Sequence, residues 1–121
     1  MNKINSYKDL MVWQKGMDLC EAVYSVTNKF PPSELYGLTS QIRRCCVSIP
    51  SNIAEGHLRG HKLEYIQFLR IAYGSSAELE TQLLIALRIG YIKKEDYEKL
   101  NMLLEEIMKM LNKLIFVLTN P

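Results

Sequence analysis

Apolar residues recur at helical spacing in four stretches of the chain. In the first, Leu10, Trp13, Met17, Cys20, Tyr24 and Thr27 form one row, and Val12, Leu19, Val23, Val26 and Phe30 form a second beside it. This predicts a helix from about Tyr7 to Asn28. The segment Phe30-Pro31-Pro32-Ser33-Glu34-Leu35-Tyr36-Gly37 ends it, because Pro31 disfavours a helical residue before it and Gly37 tolerates positive φ. A second helix opens at Leu38-Thr39-Ser40, where Thr39 or Ser40 can accept hydrogen bonds from the first free amides. Pro50 removes an amide donor and leaves the Cys46 carbonyl without its usual partner. Ile42, Cys45 or Cys46, Ile49 and Ile53 nevertheless keep helical spacing across it, which predicts one kinked helix that reaches Glu55 and stops at Gly56.

The third stretch starts near His61-Lys62, carries Tyr65, Phe68 or Leu69, Ala72, Ser75 or Ser76, Leu79, Leu83, Ala86 and Ile89, and stops at Gly90. Its middle, Ala72-Tyr73-Gly74-Ser75-Ser76-Ala77, is almost wholly small, so another helix can approach closely there. The fourth follows Lys93-Lys94-Glu95-Asp96 and has the cleanest period: Leu100, Leu104, Ile107, Leu111, Leu114 and Leu118 recur at steps of four and three, as in a coiled-coil seam. Leu103, Met110 and Val117 widen that seam, and Met102, Met108 and Ile115 add apolar surface elsewhere, so this helix needs more than one neighbour. Four long helices with short links predict an all-α fold, an antiparallel up-down-up-down four-helix bundle in a single domain over residues 1–121.

Composition agrees with this picture. With 121 residues, 48% hydrophobic and 23% charged, the chain can bury a core without metals or disulfides, and disorder is excluded. Only 6 Gly and 4 Pro argue against a turn-rich β fold. Cys20, Cys45 and Cys46 form no CxxC pair and no even framework, so they read as reduced thiols filling the core or an interface. No leader is expected from Met1 to Leu10 and no window is long enough for a membrane span, so a cytoplasmic protein without membrane contact is expected.

Two constellations carry candidate chemistry. Gln41, Arg44, Ser48, Ser51 with Asn52, and Glu55 share one face of the second helix. That polar stripe is either a ligand surface or, as the preferred reading, a device in which hydroxyls and Asn52 satisfy carbonyls freed by Pro50 while Arg44 and Glu55 pair with charges such as Glu78 or Glu80. The second constellation is basic. Arg43, Arg44, His57, Arg59, His61, Lys62 and Arg70 gather around the turn between the second and third helices, with only Glu55 and Glu64 interspersed. Five positive and two negative charges give this segment +3, against +2 for the whole chain, so the remainder is slightly acidic. Such a turn can contact phosphates or can be an ordinary solvated surface with local ion pairs. No aromatic pattern interleaves the basic residues in sequence, so sequence-specific RNA readout gains no support.

Enzymatic chemistry is not expected. A di-metal bundle site needs Glu-x-x-His on two helices, and His57 and His61 both lie at a loop without that spacing. There is no P-loop, no GxSxG and no convincing carboxylate pair, so neither a catalytic group, a metal site nor a cofactor is predicted.

Several runs together carry a resemblance. Tyr7-Lys8-Asp9-Leu10-Met11-Val12-Trp13-Gln14, Phe30-Pro31 with Glu34, Tyr36-Gly37-Leu38-Thr39-Ser40-Gln41-Ile42-Arg43-Arg44, Ser48-Ile49-Pro50-Ser51-Asn52-Ile53-Ala54-Glu55-Gly56, and Tyr73-Gly74-Ser75 followed by Glu78-Leu79-Glu80 are the runs concerned. Over nearly the whole chain they resemble the bacterial four-helix-bundle family named for proteins encoded in intervening sequences of 23S rRNA genes, also labelled the S23 ribosomal protein family. The resemblance implies a bundle that assembles into a ring-like homopentamer. It also implies kinship with the accessory variability protein of diversity-generating retroelements, which binds reverse transcriptase and nucleic acid through a basic surface. The expectation is therefore a non-enzymatic homo-oligomer whose basic turn contacts RNA, DNA or a ribonucleoprotein; the alternative is a protein–protein scaffold that binds no nucleic acid.

Overall fold

The computed structural model describes residues 5–120; Met1 to Ile4, part of the stretch read for a leader, and Pro121 lie outside them. Four helices, α1 (Met11–Thr27), α2 (Leu38–Leu58), α3 (Lys62–Arg88) and α4 (Lys94–Thr119), are accompanied by single 3₁₀ turns at Tyr7–Asp9, before α1, and Pro32–Glu34, in the link to α2. Each helix approaches the next in sequence, α4 approaches α1, and neither diagonal pair meets among the described residues. That adjacency is the up-down-up-down square the apolar spacing predicts. At 1.5 Å per residue α1 and α2 are roughly 26 and 32 Å long, and α3 and α4 roughly 40 Å.

The core is drawn from the apolar rows read from the sequence, except that in the first α1 row Met17 and Tyr24 are exposed and Leu10, Trp13 and Cys20 only half-buried. Leu19 and Val23 of α1, Ile42, Cys46, Ile49 and Ile53 of α2, Leu69, Leu79 and Leu83 of α3, and Leu104, Ile107 and Leu111 of α4 are fully buried. Each large aliphatic side chain taken out of water contributes on the order of 1.5–3 kcal/mol. Of the α4 seam, Leu114 and Leu118 are only half-buried. Met102, Phe116 and Val117 stand in solvent, as do Ile71, Leu84, Ile85 and Ile89 of α3 and its C-terminal end. Both long helices thus present apolar surface that the four-helix core does not use.

Several boundaries differ from the predicted ones, each for a local reason. The first helix does not begin at Tyr7. Ser6 and Asp9 close a reciprocal cap there: the Lys8 amide donates to Ser6 Oγ at 3.1 Å and the Ser6 amide to Asp9 Oδ2 at 3.2 Å. Leu10 then leaves the helical region at φ −74°, ψ 124°, and α1 starts afresh at Met11.

At the start of α2 neither Thr39 nor Ser40 acts as cap. Glu34 does so from outside the helix: its Oε1 accepts the Leu38 amide at 3.2 Å, while its Oε2 accepts the Tyr91 hydroxyl at 2.9 Å. Gly37 is not at positive φ; glycine fits because a Cβ there would come within 2.8 Å of Glu34 Oε1.

α2 runs through Pro50 without interruption, as its apolar spacing predicts. The carbonyl of Cys46 that Pro50 deprives of a donor is served by neither a serine nor Asn52. The Cys20 thiol of α1 donates to it at 3.1 Å, and Gly16 of α1 lies against the proline ring, close enough that a Cβ would sit 3.4 Å from Pro50 Cβ. α2 also does not stop at Gly56. That glycine is helical and buried because α3 crosses on top of it, placing Phe68 Cβ 2.6 Å from where its own Cβ would be. The left-handed turn residue is Gly60, at φ 73°. Gly90 does end α3 as predicted, at φ 85°, with the Tyr91 amide bonded to Ala86 O and the Gly90 amide to Leu87 O. In the small-residue stretch of α3, Ala72 and Ser76 are fully buried, whereas Gly74 faces open space.

Candidate functional site

The seven basic residues read as one cluster are spread over the two ends of α2. Fifteen residues separate Arg44 from Arg59, roughly 22 Å of helix. At the α1–α2 end, Arg43 is bound into the bundle: Nε donates to Thr27 Oγ1 at 2.9 Å, an Nη to Asn28 Oδ1 at 3.0 Å, and the guanidinium lies 4.6 Å from the centre of the Tyr24 ring. These contacts tie it to α1 and to Asn28, the residue that caps α1. Arg44, one residue on, reaches towards α3 as well and makes no ion pair among the described residues.

Arg44 borders a cavity of about 450 Å³ between α2 and α3, together with Ser40, Gln41, Ser48, Ser75 and Glu78, with Tyr36 at its lip. Its deeper side is hydrogen-bonded. Ser48 Oγ and Ser75 Oγ lie 2.9 Å apart, Asn52 Nδ2 donates to Ser48 Oγ at 2.9 Å and to Ser48 O at 2.7 Å, and the Cys45 thiol donates to Ser75 O at 3.0 Å. Burial, followed by the charge of Glu78 and a hydrogen bond to it, pushes the Cys45 thiol up to about 12, so it stays protonated and unreactive at neutral pH. Glu78 shares the cavity with Arg44 yet the two make no ion pair; Gln82 Nε2 approaches Glu78 Oε2 at 3.4 Å. A guanidinium, a carboxylate and hydroxyl and amide groups thus converge on one space. A second hollow of about 400 Å³ adjoins it, bordered by Tyr24, Leu35 and Arg43 and sharing Tyr36, Ser40 and Arg44 with the first.

The polar stripe of α2 divides accordingly. Gln41 and Ser48 line the cavity and Asn52 braces Ser48. Ser51 lies on the other side, lining a shallow hollow with Trp13 and Pro50. Glu55 pairs with Arg59 one turn on, at 2.9 Å, and with neither Glu78 nor Glu80, which carry the same charge; the charge partner that the sequence suggests on α3 lies at the end of α2 itself.

At the opposite end, His57, His61 and Lys62 border a hollow of about 360 Å³ with Gly56, Tyr65 and Leu118. His57 meets the Tyr65 ring edge-on at 5.6 Å, and the Arg59 guanidinium lies 5.1 Å from the Phe68 ring. α3 begins here with no side chain capping its first amides, which leaves donors and positive partial charge facing the same end of the bundle. Arg70 is exposed about two turns along α3. Among the described residues no group of three potential ligands is placed to hold a metal ion.

The family model described as 23S rRNA-intervening sequence protein matches residues 8–113. The chain belongs to the 23S rRNA-intervening sequence protein family. It is similar to a crystal structure of a protein with unknown function from the S23 ribosomal protein family of Bacteroides thetaiotaomicron, with a TM-score of 0.78 and 28% sequence identity over 87% of this chain and 98% of that one. No curated protein matches it significantly. Neither finding indicates an enzyme family. The matched span includes both ends of α2, and with them the basic residues at each end. No helix among its described residues is long and apolar enough to cross a membrane.

The sequence alone points to Arg44, Gln41 and Ser48 but not to Tyr24, Tyr36, Ser40 and Ser75 beside them. Tyr24 and Tyr36 belong to other elements, and only the folding of α1 and its following loop against α2 brings them next to the two arginines.

Proposed function

We propose that this protein is a non-enzymatic, homo-oligomeric helical bundle, a pentamer by its family resemblance, that contacts the phosphate backbone of nucleic acid or a ribonucleoprotein through the α2–α3 turn. The observation that carries the reading is the hollow bordered by His57, His61 and Lys62 at the uncapped N-terminus of α3, with Arg59 and Arg70 nearby. The exposed apolar residues of α3 and α4, Ile71, Leu84, Ile85, Met102 and Phe116 among them, support self-association, and a ring would repeat the basic turn around one rim. The competing reading, a scaffold that binds only protein, draws support from the pairing of Arg59 with Glu55, which already neutralises one of the cations.

Light scattering after size exclusion tests assembly: a multimer is expected for the native chain and dissociation for Ile85→Glu, and a native monomer overturns the ring. Titration with duplex DNA and structured RNA across a salt series tests the turn. Replacing Arg59, Lys62 and Arg70 by Ala is expected to weaken binding and to flatten the log–log salt slope by about 0.9 for each duplex phosphate that the variant no longer neutralises. Unchanged affinity in that variant removes the turn as the binding surface and leaves the scaffold reading.

A further inference from the structure

The two adjoining hollows at the α1–α2 end have a pattern that the sequence conceals. Tyr24 stands on one side, Tyr36 in the middle and Glu78 on the far side, with Arg44 and Ser40 shared between the two spaces. Tyr36 is 94% exposed and makes no hydrogen bond through its side chain among the described residues, so its ring is free to stack. Tyr24 is 41% exposed and is held in place by the Arg43 guanidinium against it, which makes Arg43 a positioning residue. Each hollow, at about 450 and 400 Å³, falls within the size range of small-ligand pockets.

We propose that these two hollows are a site for unpaired nucleotides of a single-stranded nucleic acid, with successive bases stacked on Tyr24 and Tyr36 and the phosphate between them on Arg44. The proposal rests on the reading that the protein binds nucleic acid, but it names a different surface from the α2–α3 turn and a different substrate class from a duplex. Two adjoining hollows that share Tyr36 and Arg44 and have Tyr24 on the border of one of them suit a ligand that combines an anionic group with flat apolar faces. A duplex offers no such face, because its bases are already stacked and paired. Glu78 sets the direction. A carboxylate repels phosphate, so the phosphate belongs at the shared Arg44 and Ser40, and the Glu78 oxygens accept from the N–H edge of the base lying over the first hollow. The hydroxyls of Ser48 and Ser75 are already engaged with one another and form its floor.

The test is fluorescence anisotropy on the full chain in its native assembly. The probes are single-stranded RNA of about eight nucleotides, the DNA of the same sequence, a strand of equal length and charge carrying abasic sites, and a duplex. The expected result is tighter binding of the base-bearing strands than of the abasic strand, the RNA and DNA arms showing which sugar is preferred. Tyr36→Ala should weaken the base-bearing strand by roughly 5- to 150-fold and leave the abasic strand unchanged, with Tyr36→Trp retaining affinity. Arg44→Gln should weaken both strands. The exposure of Tyr36 leaves the core untouched in these variants, which circular dichroism checks. Equal binding of abasic and base-bearing strands, or indifference to Tyr36→Ala, overturns the site, while loss of duplex binding in the Arg59, Lys62 and Arg70 variant would still uphold the turn. Single-strand binding that depends on Tyr36 but ignores the turn variant upholds the site and removes the turn. Absence of all binding at low salt overturns both and leaves the rings as a protein surface.

Discussion

Cys20 does what a proline inside a helix requires of some neighbour: it supplies a hydrogen to the carbonyl that the proline strands. The sequence marks the need, at Cys46, but not the donor, because Cys20 is on another helix and reads as one more apolar residue of α1. The same pair of helices orders the thiols. Cys20 of α1 donates to the Cys46 carbonyl at 3.1 Å, and the Cys46 thiol donates in turn to Arg43 O at 3.2 Å. Cys20→Ala is expected to lower stability by about 1–3 kcal/mol by leaving a buried carbonyl unpaired, and Cys20→Ser to recover most of it, as read from urea unfolding. Cys45 gives a pH dependence of defined sign. Its folded form keeps a proton, up to about 12, that the unfolded chain releases near 9.0. Its stabilising contribution is therefore complete below pH 9.0 and is lost as pH rises towards 12. Over that window the urea midpoint of the native protein should fall more steeply than that of Cys45→Ala; parallel curves would show that the thiol is not held as described.

The α2–α3 pair shows how glycine divides into two roles that look alike in sequence. Gly56 reads as the end of α2, since a glycine after an apolar row commonly marks a stop, and the row itself gives no sign that Phe68 will press on it. Gly74 reads as part of a small-residue stretch that lets another helix approach closely. In the folded chain the first is the close approach and the second is open. Gly56→Ala should therefore destabilise by about 1–3 kcal/mol, the strain of separating α2 from Phe68 outweighing the better helix propensity, whereas Gly74→Ala should stabilise the single chain by about 1 kcal/mol. Chemical unfolding of both variants checks the contrast. What is legible in this pair is everything that repeats: the period of Ile42, Ile49 and Ile53 across Pro50, and the positive-φ stop at Gly90. What is not legible depends on one helix meeting another.

For the whole molecule the same division holds. The square of four antiparallel helices follows from the Leu100-to-Leu118 seam and the short links, and the surplus apolar residues of α3 and α4 are visible as rows too wide for one core. The basic segment is visible as charge but not as geometry, because a helix of 21 residues carries Arg43 and Arg44 to one end of the bundle and Arg59 to the other. Tyr24 and Tyr36 cannot be tied to the arginines from spacing at all. The two ends also differ in how they are fastened. At the α1–α2 end, Glu34 joins the loop after α1 to the turn after α3 through Tyr91, a partner 57 residues away, and Phe30 lies 5.6 Å from the same ring. The α2–α3 end has Gly60, where a side chain would meet nothing within 4 Å, and the half-exposed last turns of α4. Opening motions should accordingly start there. In native-state hydrogen exchange, amides near Leu58, Lys62 and Leu114 are expected to exchange through local fraying, and those near Leu38 and Leu87 only with larger opening; in Glu34→Ala, whose clasp is gone, protection near Leu38 and Leu87 should drop towards that of the free end.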